Sequence, residues 1–92
     1  MEKTQILTPI EGVFSHEDAE EILMNLFKSK INFHNIKNWS SQERFGKDDA
    51  FSQKRLPELR SDVEKLKAFL NQAKDQGKRL VISSEIKLVF TD

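Results

Sequence analysis

The stretch from Leu56 to Ala73 constrains this fold more than any other. Its apolar residues Leu56, Leu59, Val63, Leu66, Leu70 and Ala73 follow spacings of 3, 4, 3, 4 and 3, an unbroken a/d seam. Glu58, Arg60, Asp62, Glu64, Lys65 and Lys67 lie between them and stay in water. A helix with one apolar stripe between charged flanks must lie along another helix, or the stripe stays wet.

The chain supplies a partner helix. Ser15 opens an S-x-x-D signature, a capping box with Asp18 in the usual Glu position, and Glu17, Asp18, Glu20 and Glu21 suit the positive end of a helix dipole. Ala19, Ile22, Leu23, Leu26 and Phe27 form its apolar side. A stop near Ser29 would leave INFHNIKN as a short strand, its asparagines being poor helix residues. However, Ile22, Leu26, Ser29, Phe33 and Ile36 keep a 4, 3, 4, 3 spacing with no Gly or Pro among them. One helix from 16 to about 37 is expected, with this stripe against the Leu56–Ala73 seam. WSSQERFGK, 39–47, reads as the connection, and Asp48 or Asp49 caps the second helix. Pro57 allows two versions: a kinked helix over 48–76, or a short helix, a break and a helix from 57 with proline at N1. Gly77 is the C′ stop, with Lys74, Lys78 and Arg79 near the negative helix end.

The two ends of the chain alternate as strands. In TQILTPIEGVF (4–14), Ile6, Ile10 and Phe14 share a face, and Gln5 and Glu11 take the other. Pro9 cannot donate to a ladder, so an edge strand or a bend is expected there, and Gly12 marks a bulge. RLVISSEIKLVFT lacks turn residues and reads as one long strand, without a hairpin.

The expected fold is α+β: strand, long helix, long helix, long strand, with a helical hairpin on a small antiparallel sheet, all one domain over 1–92 without a linker. Helices of these spans measure about 33 and 43 Å and the strands about 36 and 43 Å, so the hairpin fits along a two-stranded ribbon. A lone two-stranded sheet is marginal in water and its edges need cover. Two chains are therefore expected to associate, by joining sheets or by packing helical seams.

Composition excludes several function classes. The absence of cysteine removes disulfides and thiolate metal sites. No apolar run reaches the roughly 18 residues of a membrane span, and a cytoplasmic location is expected. Net charge is zero but unevenly spread: one base against six acids in 1–27, eight against four in 28–60, six against five in 61–92.

Chemical signatures are sparse. Gly12, Gly46 and Gly77 lie too far apart for a phosphate-binding loop. His16-Glu17 starts like a zinc-helix motif, but position 20 is Glu, and His16 reads as a first-turn residue. Asp48-Asp49 reads as a cap before it reads as a carboxylate pair. His34 reads as a surface or last-turn residue, and the serines have no nucleophile-elbow context. No catalytic residue, cofactor or metal is assigned. One cluster stands out at the helical tip, where Lys37, Trp39, Arg44, Lys47, Lys54, Arg55 and Arg60 mix positive charge with aromatic Trp39 and Phe45.

That mixture suits protein contacts and nucleic-acid backbones alike. The more economical expectation is that Trp39, Phe45 and Phe51 turn inward and plug the hairpin, because a small domain rarely exposes three large aromatics. The function expected is a non-catalytic interaction or assembly module, homodimeric, with a protein partner at the tip. Nucleic-acid binding through the same residues is the alternative, lowered by the balanced charge. A small metal- or carboxylate-dependent hydrolase needs Asp48, Asp49 and His34 to converge.

Overall fold

A computed structural model of the chain describes residues 3–91. Its elements run β1 (Thr4–Leu7), β2 (Glu11–Phe14), α1 (His16–Phe45), α2 (Ala50–Asp75), β3 (Leu80–Ser83) and β4 (Ile86–Val89). The two helices form an antiparallel hairpin. β1 pairs antiparallel with β4, and β2 with β3, giving two small sheets and an α+β fold.

Local chemistry explains most boundaries. The Ser15 side chain accepts from the Asp18 amide at 3.1 Å and starts α1. Gly77, at φ 63°, ends α2 in a Schellman motif: Lys78 N–H donates to the Ala73 carbonyl and Gly77 N–H to the Lys74 carbonyl. α1 is longer than its sequence implied. It runs through 39–45 and stops only at Gly46, at φ 71°, so the connection is Gly46–Asp49 rather than 39–47. Tertiary contacts outweigh the poor propensity of Asn38, Ser40 and Ser41, because Asn38 and Gln42 bond the start of α2. Pro57 lies inside α2, so the continuous version of that helix holds, at the cost of one amide donor to the Gln53 carbonyl.

The Leu56–Ala73 seam faces α1. Leu56, Leu59 and Leu70 are buried, and Val63, Leu66 and Ala73 are half-buried. The row that meets it on α1 is not the expected one. Ala19, Leu23, Phe27, Ile31, His34, Asn38 and Ser41 are buried or half-buried along the whole helix, whereas the expected stripe is half-buried only at Ile22 and exposed at Leu26, Ser29, Phe33 and Ile36. Ser52 and the cap residue Asp49 need polar partners, which the row holding His34 and Asn38 supplies.

Each expected long strand is broken in two. Thr8-Pro9-Ile10 lies opposite Ser84-Glu85, so one strand carries an extra residue, and the bulge falls here rather than at Gly12. Ser84 closes the gap: its amide donates to the Ile10 carbonyl at 3.0 Å and its hydroxyl accepts the Ile10 amide at 3.1 Å. The extra residue moves Ile6 off the face of Phe14 and onto that of Lys87. β3 and β4 form no hairpin with each other, as expected.

The hairpin does not lie along the ribbon. β2 and β3 touch α1, while every residue of β1 and β4 is exposed. The Cα envelope is 50 × 37 × 15 Å. Two packed helices are only about 14 Å wide between outer Cα atoms, so the ribbon projects sideways as an arm. The bulge and the sideways exit undo the match of lengths that would have stacked it on the helices.

Truncating Leu59, 4% exposed in the seam, tests this core. Leu59→Ala is expected to cost about 2–5 kcal/mol, read as a lower urea midpoint with retained helical circular dichroism at low temperature.

Candidate functional site

The polar residues of the hairpin gather where α1 meets the start of α2. His34 and Ser52 are fully buried, and His34 Nδ1 lies 2.8 Å from Ser52 Oγ. Asp49 caps α2 by accepting the Ser52 amide at 2.9 Å, and its own amide donates to Asn38 Oδ1 at 3.0 Å. Asp48 accepts from Gln42 Nε2 at 2.9 Å and from Gln53 Nε2. Phe33 meets the His34 ring edge-on at a centroid distance of 5.2 Å, and Phe51 tilts against it at 5.7 Å.

The Ser52 amide, and then its hydroxyl, hold the Asp49 carboxyl below the usual carboxylate range; Lys37 adds to this and desolvation opposes it. The other end of the network is unfinished. His34 Nε2 is buried without a hydrogen-bond partner. A group in that state costs about 1–3 kcal/mol.

The order of these residues is His34, Ser52, Asp49, with serine in the middle. A hydrolytic triad needs the imidazole between nucleophile and carboxylate, and the nucleophile open to substrate. Here Asp49 and His34 converge only through a sealed hydroxyl, and Asp48 turns away to the two glutamines. Among the described residues no three His, Asp or Glu gather in a metal-binding group. The arrangement joins two helices at one register.

The tip residues do not form one surface. One helical position is about 100° of rotation. In an antiparallel pair, equal rotations away from the shared seam bring both helices' stripes to the same side. Lys37 precedes the seam residue Asn38, and Arg55 precedes Leu56, so both lie on one side of the hairpin. Arg44, seven residues beyond Lys37, continues that side. Trp39 and Arg60 follow the seam residues Asn38 and Leu59 and lie on the other. Lys54 is on the outer edge of α2, and Lys47 is in the connection. Arg55 is engaged with Glu58 at 2.9 Å.

Nor do the aromatics plug the hairpin. Trp39, Phe45 and Phe51 are 66%, 70% and 64% exposed. With α1 continuing to Phe45, the end is closed by hydrogen-bonded Asn38, Gln42, Asp48 and Asp49, leaving these rings no interior to enter.

Sequence reading missed the pairing of His34 with Ser52. The available signal was that both fall on 3/4-spaced rows with buried apolar residues, His34 with Phe27 and Ile31, Ser52 with Leu56 and Leu59. No family model, curated protein or solved structure matches this chain.

Two measurements check the network. Ser52→Ala is expected to destabilise by about 1–3 kcal/mol by orphaning His34 Nδ1, and adding His34→Leu should recover most of it, because removing both partners avoids the desolvation cost. The Asp49 carboxyl, depressed in the folded state, contributes stability above its unfolded value of about 3.9. That contribution is lost as pH falls through the folded value. Asp49→Asn keeps a capping oxygen without titrating there, so the stability difference between the two proteins should shrink below about pH 4, measured by urea unfolding across pH.

Proposed function

We propose that this chain is a non-catalytic, self-associating assembly module that works as a homodimer. The observation that supports it is surface. The chain exposes 7511 Å², whereas a compact monomer of its 10.7 kDa exposes about 5500 Å². The radius of gyration agrees: 16.7 Å against about 12 Å for a compact chain of this length. The excess, about 2000 Å² per chain, exceeds the roughly 800 Å² each partner buries in an ordinary interface and falls in the range of obligate dimers.

Its chemistry points the same way. Leu26, Phe33, Phe51 and Phe69 on the helices, and Ile6, Leu7, Ile86 and Leu88 on the arm, are all exposed. A layer of secondary structure with an apolar side needs a second layer over it. These side chains have no such cover in the single chain.

Nucleic-acid binding gains less support. Trp39 lies opposite Lys37, Arg44 and Arg55, and the α2 stripe that carries Phe51 on their side also presents the acids Glu58 and Asp62, which oppose a phosphate backbone.

Sedimentation equilibrium at micromolar concentration is expected to return twice the chain mass, and Phe33→Asp should lower it toward one chain while helical content is largely kept. A cooperatively folded species of single-chain mass in the unsubstituted protein overturns the proposal.

A further inference from the structure

The side of the hairpin that a second copy would cover can be read from the helices. Four of the exposed apolar helical residues immediately precede a seam residue: Leu26 before Phe27, Phe33 before His34, Phe51 before Ser52, Phe69 before Leu70; Ile36, Trp39 and Phe45, near the end of α1, do not. Equal rotation places all four on one side. Leu26 and Phe33 already border an open apolar groove of about 490 Å³ whose floor includes Leu59. The positions that follow the seam residues are mostly polar: Asn35 and Gln42 on α1, Gln53, Glu64, Lys67 and Asn71 on α2. The exposed apolar surface of the hairpin thus lies mainly on one face, with Trp39 on the other among polar neighbours.

Charge on the apolar side differs between the helices, basic on α1 and balanced on α2. Along this stripe α1 presents Lys30, Lys37 and Arg44, with Asp18 in the first turn as its acid. The matching stripe of α2 presents Glu58 and Asp62 between Phe51 and Phe69, with Arg55 paired to Glu58 and Lys65 also present.

We propose that this face is occupied by a second copy of the chain, with α1 of each copy lying over α2 of the other in an antiparallel four-helix bundle. This rests on the self-association proposed above and specifies its geometry. Two two-fold arrangements stack the apolar faces with antiparallel neighbours. One sets α1 on the partner's α1 and opposes lysine to lysine. The other has its axis parallel to the helices and sets α1 on the partner's α2. In it, residues level with one another within a hairpin also face one another between copies. Phe33 then meets the partner's Phe51, the two rings that flank His34 within each chain, and Lys30, level with the partner's Leu56, faces its Arg55–Glu58 ion pair. The second arrangement sets the basic stripe of α1 on a balanced stripe of α2 instead of on another basic stripe, and this selects it.

The chain has no cysteine, so introduced thiols report this geometry directly. Lys30→Cys and Glu58→Cys are prepared separately and together by co-refolding, then oxidised mildly. The mixture is expected to give a disulfide-linked dimer and each variant alone little or none, with the uncrosslinked mass measured on the same samples. A dimeric mass with Lys30→Cys linking to itself, or with no link in the mixture, overturns this arrangement and leaves self-association standing. A single-chain mass in the unsubstituted protein overturns both.

Discussion

The contact between His34 and Ser52 sets the register on which the rest of the hairpin depends. It is a polar contact in an otherwise apolar seam, and sliding the helices by one turn would leave both groups buried and unpaired. Apolar side chains tolerate such slips because leucine meets leucine at several registers. A buried imidazole and hydroxyl do not. Asp49 reinforces the choice from outside by capping α2 on the Ser52 amide while its own amide is held by Asn38. The unsatisfied Nε2 of His34 is the energetic cost of that specificity.

Register then decides which side chains face outward. With His34 and Ser52 level, Phe33 and Phe51 emerge together on one side, and Lys37 and Trp39 leave on opposite sides. The same polar contact that closes the hairpin thereby divides the basic–aromatic tip and gathers Leu26, Phe33, Phe51 and Phe69 on the edge that also carries Lys37. The arm adds a second unburied surface. Ser84 bridges the slip beside Pro9, and the ribbon beyond it carries Leu7, Ile86 and Leu88 on one face and Ile6 and Val89 on the other, away from its own helices. Both features are apolar surface that the single chain leaves uncovered.

Much of the fold was legible in the residues. Ser15 and Gly77 marked helix ends because their chemistry is local: a hydroxyl for an amide, and a backbone free to adopt positive φ. The Leu56–Ala73 seam was legible because every position in it is apolar. The partner row on α1 was not, for a physical reason. Periodicity favours the most apolar stripe, Ile22–Ile36, but α2 begins with polar groups that need polar partners in the interior. The row with His34 and Asn38 supplies them, and the more apolar stripe is left outside.

The sequence by itself determined a helix after Ser15, a helical seam ending at Gly77, flanking extended segments and the α+β class, since these follow from short-range periodicity and backbone chemistry. That α2 runs through Pro57 and is capped by Asp49 rather than Asp48 was left to the tertiary structure. Only the tertiary structure decided that α1 runs on to Gly46, that the strands break at Pro9 and Ser84, and that Phe33 faces outward while His34 faces in. Those outcomes depend on which groups meet across the hairpin and the ribbon, between residues far apart in the chain, and no local pattern encodes that pairing.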